Sequence, residues 1–91
     1  MNNSKLFTEM FQDAESVVQL IGEISGASVN TGSTGPVMEI QVREKPDLTG
    51  AFLPWPEALT VHEGNHYDGW TMMYMRFTER VIVWWADHDN V

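Results

Sequence analysis

From Asn3 to Ser25 apolar side chains recur at Leu6, Phe7, Met10, Phe11, Ala14, Val17, Val18, Ile21 and Ile24, the spacing of one face of a 3.6-residue helix. The pattern predicts an amphipathic helix over 3–25. Asn3 or Ser4 stands where it can accept hydrogen bonds from the free N–H groups of the first turn, and Gly22 or Gly26 offers a left-handed stop. Glu9, Gln12, Asp13, Ser16, Gln19 and Glu23 line the opposite face. Glu9 and Asp13 are one turn apart, where like charges repel by roughly a few tenths of a kcal/mol. This acidic stripe therefore works slightly against the helix and calls for another reason.

The helical period is lost after Ser25. Residues 26–36, GASVNTGSTGP, are small and polar and are expected to form a flexible connection. Alternation begins at Val37: Met38, Ile40 and Val42 share one side, Glu39, Gln41 and Arg43 the other, as in a half-buried strand through Glu44. Lys45 to Pro56 holds three prolines and a glycine, the composition of an irregular loop, with Trp55 extended between Pro54 and Pro56. Ala58–Glu63, Trp70–Phe77 and Arg80–Ala86 then read as a meander of strands joined by turns at Gly64–Gly69 and around Thr78-Glu79. The last two strands are apolar on both faces, with Trp70, Met72 and Tyr74 alternating with Met73, Met75 and Phe77, and Ile82 and Trp84 with Val81, Val83 and Trp85. The expectation is an α+β fold in one domain, 1–91, with an N-terminal helix packed on an antiparallel sheet of about four strands over 37–86. One helix covers one sheet face, so the other is left for the proline-rich loop, a second copy in a homodimer, or a partner.

Composition narrows the class. With 91 residues, 43% of them hydrophobic, the chain supports one modest core and is too apolar for a disordered acidic tail. There is no cysteine, hence no disulfide framework and no thiolate chemistry, and no run approaches the roughly 20 apolar residues of a membrane span. A cytoplasmic location is the expectation. Thirteen Asp and Glu against five Lys and Arg give a net charge of −8. Proteins that grip phosphates do so with clustered Lys and Arg, so direct nucleic-acid binding is disfavoured and a basic protein partner favoured.

His62-Glu63-Gly64-Asn65-His66 has the spelling of the H-E-x-x-H zinc motif, which needs a helix to bring both histidines to one side. Here Gly, Asn, Asp and a preceding Leu-Thr-Val argue for a polar turn, so no metal and no cofactor are expected. A small zinc-dependent hydrolase using His62 and His66 is the enzyme alternative. Carboxylate pairs such as Glu57 with Glu63, or Asp87 with Asp89, read as solvated surface charge, because acid–base work requires an enclosed site. Trp55, Trp70, Tyr74, Trp84 and Trp85, with Met72, Met73 and Met75, are too many for one side of a small sheet. Such residues also dominate the anchors of protein interfaces. The chain is therefore expected to bind rather than to catalyse.

An apolar pocket bordered by an acidic helix suits a partner with a protruding apolar residue inside a basic groove. The combination resembles the small acidic inhibitors that phages turn against host DNA-processing enzymes by mimicking DNA, and it is most similar to the uracil-DNA glycosylase inhibitor family. Glu15-Ser16-Val17-Val18 is similar to that family's Glu-Ser-Ile-type motif, with Val in place of Ile and a predicted helix in place of a strand. The resemblance implies a compact cysteine-free α/β protein whose acidic groups stand in for phosphates and whose Met- and Val-lined pocket takes a protruding Leu. It implies uracil-DNA glycosylase, in the host cytoplasm, as the partner. On this expectation Glu9, Asp13, Glu15 and Glu23 replace phosphates, Ser16 and Val17 complete the motif, and Met73, Met75 and Trp84 hold the target residue. An immunity or antitoxin-type protein that neutralises a basic nuclease would carry the same charge.

Overall fold

In the computed structural model, which describes residues 3–48 and 60–88, the N-terminal apolar stripe forms helix α1 (Asn3–Ile21). It stops four residues short of the expected Ser25. Gly22, at φ 79°, turns left-handed and its N–H donates to the Val18 carbonyl at 2.8 Å, satisfying one of the carbonyls that a helix end leaves free. Ser25 then donates both its N–H and its hydroxyl to the Gln41 carbonyl, which starts the first strand. Ile24, outside the helix, is 39% exposed.

Five strands follow: β1 (Gly26–Gly32), β2 (Gly35–Gln41), β3 (Val61–Tyr67), β4 (Trp70–Thr78) and β5 (Val81–His88). Their order in the sheet is β1-β2-β5-β4-β3. Three expectations are corrected, the first being the strand count, which is five rather than about four. The segment 26–36 is not a flexible loop but a hairpin, β1 pairing antiparallel with β2 from Gly26↔Gln41 to Gly32↔Gly35. It escapes a reading by periodicity because β1 is an edge strand exposed along nearly its whole length, and a small, polar edge resists pairing with other chains. The sheet is also mixed rather than antiparallel, because β2 and β5 pair in parallel, Met38↔Val81 through Gln41↔Trp84. The chain leaves β2, re-enters at the far edge as β3 and returns by hairpins through β4, so the most apolar strand, β5, ends in the centre. The proline-rich stretch around Trp55, Glu57 and the first residues of the Ala58–Glu63 strand lie outside the described residues, as does Asp89.

Alternation along β2, β4 and β5 sends Ile40, Met75, Phe77, Val81, Val83 and Trp85 to the side that receives Met10, Ala14 and Val17 of α1. Full burial of such side chains is worth about 1.5–3 kcal/mol each, so this layer dominates the fold. Phe77 enters it at a bulge between Arg76 and Thr78. The helix packs mainly on β2 and β5, and at the edges Val29 and Val61 stay 42% and 36% exposed.

The flank of α1 is fastened to the β4–β5 turn. The Thr78 hydroxyl donates to Asp13 Oδ2 at 2.8 Å and accepts the Arg80 N–H at 3.0 Å. Arg80 is buried; its Nη1 donates to the Pro36 carbonyl at 3.3 Å, while Nε stands 3.6 Å from Glu9 Oε2, an ion pair without a hydrogen bond. Gly35 closes this corner: at φ 104°, a Cβ there would lie 2.8 Å from Leu6 Cδ1 and 3.0 Å from Arg80 Nη1. Gly35→Ala combines backbone strain with a clash and should cost about 2 kcal/mol or more. The check is a urea titration, expected to show a lower midpoint at unchanged slope; an unchanged midpoint would mean that the corner is not fixed in this way.

Candidate binding surface

Because side chains alternate, every strand also projects residues to the side away from α1. The registers align Gln41, Trp84, Tyr74 and His62 as one row running from β2 to β3. The rings in it stack: Tyr74 and Trp84 have centroids 4.5 Å apart, His62 and Tyr74 5.0 Å. A second row joins His88, Trp70 and Tyr67, with Trp70 and His88 centroids at 3.5 Å. Tyr67 is 57% and Trp70 40% exposed. A sheet that a helix covers on one side only is normally polar on the other, solvated side, so an aromatic outer face has the make-up of a contact surface.

The indole of Trp84 crosses β4 to reach β3. A Cβ at Gly64 would lie 2.7 Å from Trp84 Cζ3, so only glycine lets the ring pass beneath this strand. Gly64 sits where the β3 register shifts between Glu63 and His66, and bulges of this sort commonly re-aim side chains. Trp84 Nε1 is buried without a hydrogen-bond partner. Beside the ring lies a cavity of about 170 Å³ walled by Trp84, Tyr67, Met72, Glu39, Gln41 and Asn65. Asn30 of β1 donates through Nδ2 to Glu39 Oε2 and so holds the carboxylate in place. A larger cleft, about 430 Å³, separates Ile21, Glu23 and Ile24 from Val42–Asp47; acidic Glu23, Glu44 and Asp47 alternate there with Arg43 and Lys45.

The residues singled out from sequence do not form one site. Val17 and Met75 are 0% and 2% exposed in the core, and Met73 packs against it, so Val17 and Met75 are corrected from partner contacts to structural residues. Glu15, Ser16 and Glu23 are exposed on the helix side, where the Ser16 hydroxyl donates to the Gln12 carbonyl. Glu9 and Asp13 bind Arg80 and Thr78 and carry part of the tertiary structure, although the Glu9 side chain is still 55% exposed. Trp84 lies on the other side of the sheet. Glu39, Gln41, Asn65 and Tyr67 were not picked out from sequence; for Glu39 and Gln41 the signal was present, since the Val37–Glu44 alternation already opposed them to Met38 and Ile40.

His62-Glu63-Gly64-Asn65-His66 lies within β3, a strand rather than the expected polar turn, and is not a helix; the turn is confined to Asp68 and Gly69. His62 pairs with Tyr74 and stacks on it, whereas His66 pairs with Thr71 on the opposite face, Nδ1 lying 3.0 Å from the Thr71 hydroxyl oxygen. The two imidazoles do not converge, and among the described residues no three His, Asp or Glu side chains are grouped to hold a metal ion. Among the described residues, no helix is long and apolar enough to cross a membrane. No family model, curated protein or solved structure matches the chain.

The Trp84 geometry is open to a direct check. Gly64→Ala should push the indole off the sheet, alter the near-ultraviolet circular dichroism and cost about 1–3 kcal/mol. Retention of both the spectrum and the stability would show that Trp84 does not lie beneath Gly64.

Proposed function

We propose that this chain is a protein inhibitor that occupies the DNA-binding groove of a basic DNA-processing enzyme in place of DNA, with uracil-DNA glycosylase as the first candidate. The observation that carries this reading is the distribution of charge. Glu15, Glu23, Glu44, Glu63, Asp68 and Asp87 stand exposed around the helix side, the strand edges and the turns, while Arg80, one of only five cations, is buried under Glu9. A groove built for DNA touches its ligand on more than one side, so a domain entering edge-on meets it with the acidic helix side and the aromatic sheet face together. Steering by a field of one sign accelerates encounter and excludes acidic competitors. The short Glu15-Ser16-Val17-Val18 resemblance supports the choice of target only in part, since Val17 faces the core.

The test is the association rate with purified uracil-DNA glycosylase and with a panel of basic nucleases. The rate should fall about tenfold or more from low to physiological salt, and duplex DNA should compete. Glu15→Gln with Glu23→Gln should slow it severalfold further at unchanged unfolding midpoint, as neither carboxylate holds the fold. Binding indifferent to salt and to this double neutralisation, or binding alongside DNA, would contradict mimicry.

A further inference from the structure

The cavity beside Trp84 is not the apolar socket expected for a protruding Leu. Two of its walls are aromatic, Trp84 and Tyr67, and Met72 lines it between them; the remainder is Glu39, Gln41 and Asn65, a carboxylate and two amides. An apolar side chain would bury those polar groups without partners, at a cost of roughly 1–3 kcal/mol for each one left unsatisfied. An anion would meet Glu39. At about 170 Å³ the space also falls below the roughly 300 Å³ from which small-molecule pockets start, and suits one side chain.

A cation satisfies every wall. Aromatic faces attract positive charge through their quadrupoles, Glu39 supplies the counter-charge, and the amide oxygens of Gln41 and Asn65 supply further acceptors. Asn30 donates to Glu39 Oε2, which fixes the carboxylate, and a carboxylate has lone pairs on both oxygens to accept further donors. Neither guanidinium near this face lines the cavity: Arg76 donates through Nη1 to the Glu79 carbonyl at 3.2 Å, toward the β4–β5 turn, and Arg43 lines the separate cleft beside Ile21 and Glu23. Between the two basic side chains, arginine fits better than lysine. Its guanidinium is planar, stacks on indole, is weakly hydrated and carries five donors in one plane, whereas an ammonium is a strongly hydrated point charge.

We propose that the cavity formed by Trp84, Tyr67, Glu39, Gln41 and Asn65 is a receptor for one arginine side chain of a protein partner. That this arginine belongs to a DNA-binding groove rests on the inhibitor reading above; the chemistry of the cavity does not. The aromatic face then acts as the anchor of the interface, and the carboxylates on the helix side act mainly on encounter.

The experiment is a titration of the full chain with N-acetyl-arginine amide, followed by ¹H–¹⁵N spectra of the Trp84 indole and of the Gln41 and Asn65 side-chain amides. Saturable shifts at these three groups are expected with the arginine derivative. The neutral isostere N-acetyl-citrulline amide should give none, and N-acetyl-lysine amide should bind several-fold more weakly. Glu39→Gln should weaken arginine binding about fivefold or more while leaving backbone signals of the core unchanged, so that loss of binding is not loss of fold. Equal shifts from the citrulline or lysine derivative, shifts confined to the helix side, or full affinity in Glu39→Gln would overturn the proposal. No enzyme enters this titration, so its failure leaves the inhibitor reading intact, and failure of the inhibitor reading in the association assay leaves the cavity's ligand chemistry intact.

Discussion

One helix of 19 residues lies on a sheet of five strands, and the rest of the molecule follows from that inequality. A helix about 10 Å across covers roughly two strands spaced about 4.8 Å apart, and α1 packs on β2 and β5, the central pair. The largest buried side chains, Trp85, Phe77, Met10 and Ile40, gather on this one side. The ties from Asp13 to Thr78 and from Glu9 to Arg80 fix how the helix lies across it. These contacts are specific rather than strong individually, since hydrogen bonds to charged groups contribute about 1.5–3 kcal/mol and half-exposed ion pairs less.

The same inequality separates two surfaces. Exposed carboxylates occupy the helix side, the edges and the turns. Among the described residues, the helix-free side carries Trp84, Tyr74, His62, Trp70 and Tyr67 with the carboxylate of Glu39 beside them. Charge depletion combined with Trp, Tyr and Met enrichment is what separates the core of a binding patch from ordinary surface. A long-range acidic field and a short-range aromatic anchor are complementary devices, the first acting on encounter and the second on residence.

Much of this arrangement was legible in the sequence. The amphipathic period of residues 6–21 gave the helix, and the double-sided apolar alternation at 70–86 gave both the central strands and the surplus face. The hairpin at 26–36 was hidden because an edge strand buries little, so selection for a hydrophobic period is weak there, and Gly, Ser, Thr and Asn in β1 read as loop. The parallel β2–β5 pairing was hidden because alternation fixes which face a residue takes but not which strand lies beside it. The histidines at 62 and 66 illustrate the same limit: the spacing was visible, yet only the bulge near Gly64 sets the two rings on their opposite faces. Glu9 and Asp13 stood out as an acidic stripe in sequence, and their partners Arg80 and Thr78 lie about 65–71 positions away, beyond the reach of any local pattern.

On the proposed function, the sheet face left uncovered by α1 is the contact surface for a basic partner. Hydroxyl-radical footprinting of the chain, free and in complex with a basic DNA-processing enzyme that the association assay shows it to bind, addresses this, because Tyr67 and Trp70 are exposed there while Met10 and Trp85 serve as buried references at 0% and 1%. Oxidation of Tyr67 and Trp70 is expected to fall on binding while the two references stay as they were. Undiminished oxidation of Tyr67 and Trp70 in a saturated complex, with protection confined to the helix side, would contradict it.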